Sequence, residues 1–369
     1  GKRQCFIYDR VKAFKPDLVL YWWLLALEAW AIEEQLGIPA VEYCLGVLPD
    51  RQRAGEALPL FQGERKRYVD EHIGTRTLTD VKGAEDVCNR LRRKSRPALY
   101  AFSRHVVHRK PEWPTPSEAA GVHLTGYWLL DLRMQTRLVE SGNAFLGAGQ
   151  YQQLKTFLDA GQPPVYVGWG STGGDFFGNA FLGLLAVRAL HLVGKRGVVL
   201  GSYNDLGPSS LDGATDTEAL KSFACENVFW AKWAPHEWLL PRCCAIVIHG
   251  GCNTTAAAFR SGRPVIVTPI AWDQFFWADQ VVSQRVGVRT GKLEDVTATE
   301  LADKIGQCES EAMAGACRDL AERLRSEDGV ATAAKVLGAF LRRQACGSCT
   351  DEGGPADHSA SALATSLPK

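Results

Sequence analysis

Residues 246–274 read IVIHGGCNTTAAAFRSGRPVIVTPIAWDQ. The apolar run at the start is typical of a buried parallel strand, and two glycines separate it from a run of alanines that favours a helix. The amino end of a helix carries unpaired backbone amides, so small residues beside it predict a site for an anion. A second apolar run follows at 265–268. The stretch therefore predicts a unit of a parallel α/β sheet with a phosphate-binding turn.

The turn itself is rich in hydrogen-bond donors. An imidazole, an amide, two hydroxyls and small residues converge on it, namely His249, Gly251, Asn253, Thr254 and Thr255. Such a set suits a diphosphate, because the helix end favours negative charge and the side chains add directional hydrogen bonds. The alternative is a structural turn in which Asn253 or Thr254 caps the helix and His249 is a satisfied core residue.

Two polar residues, Asp273 and Gln274, follow the second strand, where the carboxyl end of a parallel sheet opens onto a crevice. A neighbouring carboxylate and amide can hold the vicinal hydroxyls of a sugar. Asp273 would also serve as an ordinary N-cap for the helix after it, and the two roles are compatible.

Two further segments could complete a nucleotide site. Residues 168–174 form a glycine-rich turn between a strand and a helix, which exposes backbone amides at Gly170 and Ser171; a tight packing turn is the alternative. Trp233 and His236 follow another strand and offer an aromatic plane and a polar edge to a base. A core role for Trp233 is equally ordinary, since the chain has 11 tryptophans.

Composition limits the function classes. The chain has 369 residues, 46% hydrophobic and 22% charged, which predicts about two globular domains. The net charge of +1 gives no electrostatic case for nucleic acid. The 11 scattered cysteines are expected to be reduced thiols, which favours the cytoplasm. The apolar stretch 18–32 is too short to span a bilayer, while peripheral attachment to a membrane stays open.

Strands and helices alternate twice along the chain, which predicts an α/β fold with two doubly wound parallel-sheet domains. We expect a partial N-terminal domain at 1–135, a linker at 136–162, a C-terminal domain at 163–345 and a disordered tail at 346–369. Residues 1–4 carry no initiator methionine, signal peptide or first-strand pattern, so we expect the chain to begin inside the first domain.

Several motifs occur together in an order that resembles a known family. They are Trp233-x-Pro235-His236, the turn at 249–255, Pro269 and Asp273-Gln274, with supporting segments at 125–131, 164–171 and 235–242. The combination resembles the donor signature of the UDP-dependent family 1 glycosyltransferases, and it is most similar to the sterol 3-beta-glucosyltransferase branch. The resemblance implies the GT-B fold, in which two Rossmann-like domains face each other across a cleft.

The resemblance also implies roles for individual residues. Trp233 and His236 would contact the uracil and ribose, the residues Gly170, Ser171, His249, Gly251, Asn253, Thr254 and Thr255 would surround the diphosphate, and Asp273 and Gln274 would hold the glucose. No metal or other cofactor is expected. The general base of the family would precede Gly1, so none is assigned here. On the acceptor side, Trp22 and Trp23 follow a strand and could form part of an apolar wall.

The resulting hypothesis is an inverting transfer of glucose, or another hexose, from a UDP-sugar to a hydroxyl of a sterol or other lipid. Two alternatives remain at this point. One is a catalytically silent protein or subunit that binds a nucleotide sugar, and the other is a GT-B nucleotide-sugar epimerase.

Overall fold

The computed structural model describes residues 5–22, 25–46, 96–111, 113–201 and 206–347. Within them, two parallel sheets follow one another along the chain, which confirms the α/β class. The first sheet has the order β1-β2-β3-β4 and the second the order β10-β9-β8-β5-β6-β7. The strands are β1 Val19–Trp22, β2 Ala40–Cys44, β3 Pro97–Tyr100, β4 Gly121–Leu124, β5 Val165–Gly168, β6 Gly197–Leu200, β7 Val228–Ala231, β8 Ala245–Ile248, β9 Val265–Val267 and β10 Gly287–Arg289.

Helices connect the strands and cover both faces of the second sheet. They are α1 Cys5–Phe14, α2 Ala26–Leu36, α3 Leu132–Glu140, α4 Tyr151–Asp159, α5 Gly170–Val193, α6 Thr217–Asn227, α7 His236–Leu239, α8 Cys252–Ser261, α9 Gln274–Ser283, α10 Ala298–Gln307, α11 Glu311–Arg325 and α12 Gly329–Gly347.

The strands of the second sheet are apolar on both faces, as expected for a parallel sheet between two helical layers. Val165 and Val167 of β5 pack into the core on one face with Leu190 of α5. Tyr166 and Ile246 point to the opposite face, where they join a core shared with α8 and α9. The central pairing of β5 with β8 aligns the ends of these strands, and the candidate site lies beyond those ends.

Helix α5 is unusual in being apolar around most of its circumference. Its segment Phe176–Val193 is, by length and composition, the one stretch of the described chain that could cross a membrane. Leu182, Ala186 and Leu190 are nevertheless fully buried against the second sheet and its helices. Packing in a protein core therefore accounts for the apolar composition of this buried part of the helix.

The two sheets belong to one continuous core. Phe102, just beyond β3, meets Trp277 of α9 with ring centroids 5.7 Å apart. Helix α12 returns to the first sheet, where Phe340 packs in a cluster with Val41 and Leu99. The two sheets are thus connected by two separate contacts, one through Trp277 of α9 and one through Phe340 of α12.

Three local features were not expected from the sequence. The segment expected as a linker, 136–162, contains α4 and most of α3, and Asp131 caps the start of α3 because its side chain accepts a hydrogen bond from the amide of Met134. The glycine-rich turn at 168–174 already belongs to α5 from Gly170 onward, and the helix is kinked at Gly178. Strand β10 was not predicted. Of the tail, residues 348–369 lie outside the described residues.

Candidate functional site

The predicted site residues follow three adjacent strands of the second sheet. Strand β5 pairs with β8, and β8 pairs with β9, all in parallel. Because the carboxyl ends of these strands meet at one edge, the residues that follow them are brought together. Gly170 follows β5, His249 follows β8, and Asp273 with Gln274 follows β9. The edge therefore unites the residues expected at the diphosphate and at the sugar.

Two helices present their amino ends at this edge. Helix α5 has Trp169 at its N-cap position and α8 has Gly251, and neither of these two residues caps its helix through a side chain. Asn253 and Thr254 lie inside the first turn of α8, so the capping role considered for them is not the one observed. The positive end of the helix dipole at each of these amino ends favours an anion.

His249 lies between these two helix ends. A Cβ built on Gly170 would fall 2.7 Å from Cε1 of His249, and one built on Gly251 would fall 2.5 Å from Nε2. Both positions therefore need glycine to admit the imidazole. His249 is 7% exposed, and its Nδ1 has no hydrogen-bond partner in the described part of the chain. The ring is therefore partly satisfied, because Nδ1 has no partner there whereas the backbone of Gly168 hydrogen-bonds to the imidazole.

Burial also determines the charge of this ring. It lowers the pKa of His249 from 6.5 to about 4, so the imidazole is neutral at pH 7. A neutral imidazole donates one hydrogen bond and accepts one. The N–H group of the ring donates to the backbone of Gly168, an interaction that opposes the lowering of the pKa, and the positive electrostatic contribution to the site comes from the helix ends.

The remaining residues of the turn differ in accessibility. Asn253 is exposed, Thr254 is half-buried and Thr255 is fully buried, with no partner for its hydroxyl among the described residues. Ser171 has its backbone in the first turn of α5, and its side chain lies outside the described residues. Asn253 and Thr254 therefore present the accessible polar side chains of this helix end.

Gln274 builds the loop that follows β9. Its Oε1 accepts hydrogen bonds from the amides of Ile270 and Ala271, at 2.7 and 3.1 Å. The side chain is 3% exposed, and its carbonyl oxygen is committed to the loop. The amide nitrogen of Gln274 is consequently the atom that can donate to a sugar hydroxyl.

Asp273 occupies the N-cap position of α9, yet its side chain does not cap the helix. Oδ2 accepts a hydrogen bond from the indole of Trp277 at 3.0 Å. Burial raises the pKa of Asp273, and the hydrogen bond from Trp277 opposes that shift. A Cβ on Gly46, which follows β2, would lie 2.7 Å from Oδ2. The first domain thus approaches Asp273 directly, a contact that the sequence did not predict.

Trp233 and His236 lie after β7, at the carboxyl end of the same sheet. Trp233 is half-buried and packs edge-on against Phe145, with ring centroids 5.4 Å apart. His236 opens the short helix α7 instead of lying in a loop, and its Nε2 shares a 2.9 Å hydrogen bond with the hydroxyl of Tyr166. Burial lowers the pKa of His236 to about 4. Only its other ring nitrogen is available to a ligand.

On the acceptor side, Trp22 is the last residue of β1 and is 37% exposed. Trp23 lies outside the described residues. The sequence did not predict a further buried pair, Trp169 and Thr268. The indole of Trp169 donates a hydrogen bond to the hydroxyl of Thr268 at 2.8 Å, which fixes the start of α5 against the end of β9. The order of strands β5-β8-β9 brings these two residues together, although they are far apart in the chain.

Two cavities of about 340 and 600 Å³ lie elsewhere. The larger is lined by Cys244 and Pro264, which immediately precede β8 and β9, and both cavities include Arg325 of α11. They therefore border the amino ends of the strands, at the edge opposite the candidate site.

Several known proteins are similar to this chain in sequence. Residues 213–337 match the family model of the erythromycin biosynthesis protein CIII-like C-terminal domain. A sterol 3-beta-glucosyltransferase of Arabidopsis thaliana is 30% identical over 240 residues, which are 64% of this chain and 34% of the plant protein. An O-mycaminosyltylonolide 6-deoxyallosyltransferase of Streptomyces fradiae is 28% identical over 326 residues, or 85% of this chain and 67% of that enzyme.

Solved structures agree with the fold. The crystal structure of the glycotransferase of kitacinnamycin superposes with a TM-score of 0.59 at 18% identity, and covers 92% of this chain and 78% of its own. A spinosyn rhamnosyltransferase complexed with thymidine diphosphate gives a TM-score of 0.54 at 18% identity, covering 93% and 76%. These are GT-B glycosyltransferases, with two parallel-sheet domains.

The fold, the matched C-terminal domain and the relatives define the class of protein. The chain has the GT-B fold, and it is similar in sequence to the glycosyltransferases named above. It spans about a third of the length of the plant sterol glucosyltransferases that it matches.

Proposed function

We propose that this chain binds a UDP-sugar and transfers its glucose, or another hexose, to a hydroxyl of a sterol or other lipid. The observation that carries the proposal is the meeting of His249 with Gly170 and Gly251 at the amino ends of two helices, one strand away from Asp273. The sterol 3-beta-glucosyltransferases among the relatives support the acceptor and donor classes.

In the proposed reaction, the oxygen of the acceptor hydroxyl forms a bond to the anomeric carbon as the bond from that carbon to the diphosphate breaks. The hydroxyl proton passes to a general base, which is not assigned to a residue. Departing UDP carries the negative charge that develops, and the amino ends of α5 and α8, which flank His249, stabilise it. The configuration at the anomeric carbon inverts.

Each part of the donor has a proposed contact. Trp233 stacks on the uracil, the exposed Asn253 and half-buried Thr254 donate to the diphosphate, and Asp273 accepts from a glucose hydroxyl while the amide of Gln274 donates to another. The committed carbonyl oxygen of Gln274 supports this assignment, because it fixes the direction of the amide nitrogen.

The test measures UDP affinity by calorimetry and glucose transfer from UDP-glucose to a panel of sterols. His249→Ala and Trp233→Ala are expected to weaken UDP binding, whereas Asp273→Ala mainly removes the preference for UDP-glucose over UDP. His191→Ala is a matched control, since His191 stacks on Phe223 at the far end of α5. Unchanged UDP affinity in both site variants would refute the site, and UDP binding without transfer to any acceptor would favour the silent binding protein.

A further inference from the structure

Two large aromatic side chains are exposed beside the sugar end of the candidate site. Trp272 is 67% exposed and Phe176 is 57% exposed. Their rings meet edge to face, with centroids 6.5 Å apart and planes at 81°. Trp272 directly precedes Asp273, and Phe176 lies in the first part of α5, which begins at Gly170. The aromatic pair therefore adjoins both the sugar end and the diphosphate end of the site.

The backbone holds Trp272 in an uncommon conformation. Its φ of 54° lies in the left-handed region, which is an outlier for a bulky residue. The two hydrogen bonds from Ile270 and Ala271 to Gln274 fix the loop on either side of it. Strain of this kind persists where the surroundings impose it, and it is concentrated at functional sites. An indole that is both strained and mostly exposed contributes little to the core.

Phe176 is held apart from the main body of its helix. Gly178 has φ 73° and ψ 159°, so α5 is broken there and the segment from Gly170 to the break forms a separate short piece. Ring contacts lead from Phe176 to Phe177 at 6.2 Å and on to Phe181 at 5.6 Å, where the side chains join the core. The exposed ring of Phe176 is therefore supported by contacts through Phe177 and Phe181 to the core.

We propose that Trp272 and Phe176 form one wall of the acceptor site and contact the apolar face of a flat, fused-ring acceptor. The inference rests on the proposed function, because the attacking hydroxyl must reach the anomeric carbon of a sugar held at Asp273. Aromatic rings bury large apolar areas on binding. Two rigid rings with planes at 81° fit a rigid, fused-ring acceptor better than they fit a flexible acyl chain. The C-terminal domain then selects the acceptor as well as binding the donor.

The decisive variant is Trp272→Gly, which removes the indole and also relieves the left-handed strain. We expect it to raise the acceptor KM for a sterol about tenfold, as for loss of an aromatic contact. The UDP Kd should stay within about twofold, and the melting temperature should be unchanged or higher, because glycine adopts positive φ without cost. Phe176→Ala should show the same split between acceptor and donor. Leu192→Ala is the control, an exposed side chain of α5 that is far from the site.

Equilibrium binding of a radiolabelled sterol measures the same contact without turnover. Reduced sterol binding by Trp272→Gly, with UDP affinity intact, would support the aromatic wall even if no acceptor is glycosylated, which would count against the proposed function alone. An unchanged acceptor KM and sterol affinity in Trp272→Gly would overturn the inference. So would a lowered melting temperature in that variant, which would show a structural role, or a wild-type chain that binds no fused-ring acceptor.

Discussion

The imidazole of His249 lies so close to Gly170 that a single added methyl group would fall 2.7 Å from its Cε1. The contact joins the residue after β8 to the first residue of α5. It couples the position of the histidine to the start of a helix whose amides face the same space. The geometry of the proposed diphosphate site therefore depends on a residue that contributes no side chain.

This contact leads to a prediction for Gly170→Ala. The new methyl group displaces the imidazole, and we expect UDP affinity to fall roughly tenfold or more, since a hydrogen bond to a charged group contributes about 1.5–3 kcal/mol. Calorimetric titration with UDP measures the loss.

Gly194→Ala is the matched control for Gly170→Ala. Both glycines lie in helix α5 or at its end and have left-handed φ, 62° and 66°, so both variants should lose roughly 1–2 kcal/mol of folding stability. No described atom lies within 4 Å of a Cβ at Gly194. Equal losses of UDP affinity in the two variants would contradict the role assigned to the contact with His249.

The two functions of Gln274 can be separated by substitution. Gln274→Glu keeps an oxygen that accepts from Ile270 and Ala271 but removes the amide that would donate to the sugar. Because Gln274 is buried, the new carboxyl is tolerated best while protonated, so we expect near-normal thermal stability at acidic pH only, and a reduced preference for UDP-glucose over UDP. Gln274→Ala should lose both properties, because two buried amides become unpaired at a cost of about 1–3 kcal/mol each.

Melting temperature and competition binding measure these two properties independently. If Gln274→Glu retained full discrimination between UDP-glucose and UDP, the amide would have no part in holding the sugar, and Gln274 would be a residue of the loop alone.

The strands of the second sheet could be predicted because their apolar runs are long and bounded by turns. Strand β10 escaped because its three residues, Gly287–Arg289, form no such run. Helix α3 escaped for a different reason. It buries Gln135, whose oxygen accepts from the amide of Glu237, and exposes Met134, so burial does not follow hydrophobicity at these two positions. A partner 102 residues away decides this arrangement, and no local pattern reveals it.

The candidate site was also only partly predictable from the sequence. The residue types could be predicted because glycine, histidine and the Asp-Gln pair carry recognisable chemistry at strand ends. The contacts between these residues could not be predicted, because the approach of His249 to Gly170 requires the pairing of Gly168 with Ile248 in neighbouring strands. The approach of Gly46 to Asp273 requires the docking of two domains. Both are long-range results of packing.

Asp273→Asn should make the protein more stable at pH 7 and impair glucose transfer. Burial raises the pKa of Asp273, so the folded state favours the protonated carboxyl, and wild-type stability falls as pH rises through that pKa. Asparagine keeps an oxygen for the indole of Trp277 and carries no charge. Thermal melts from pH 4 to 7 should show a gain for the variant that grows with pH. A constant difference would show that ionisation of Asp273 does not contribute.

The buried histidines predict acid sensitivity. The pKa values of His249 and His236 are about 4 in the folded state, whereas an unfolded histidine has a pKa of about 6.5. Between these values the unfolded chain binds more protons, so stability falls as pH decreases from 6.5 to 4, by about 1.4 kcal/mol per pH unit for each group. Denaturant unfolding at several pH values measures this slope. It should be shallower in His249→Asn and in His236→Gln, which keeps a partner for the hydroxyl of Tyr166. A wild-type slope in both variants would mean that neither ring is held neutral by burial.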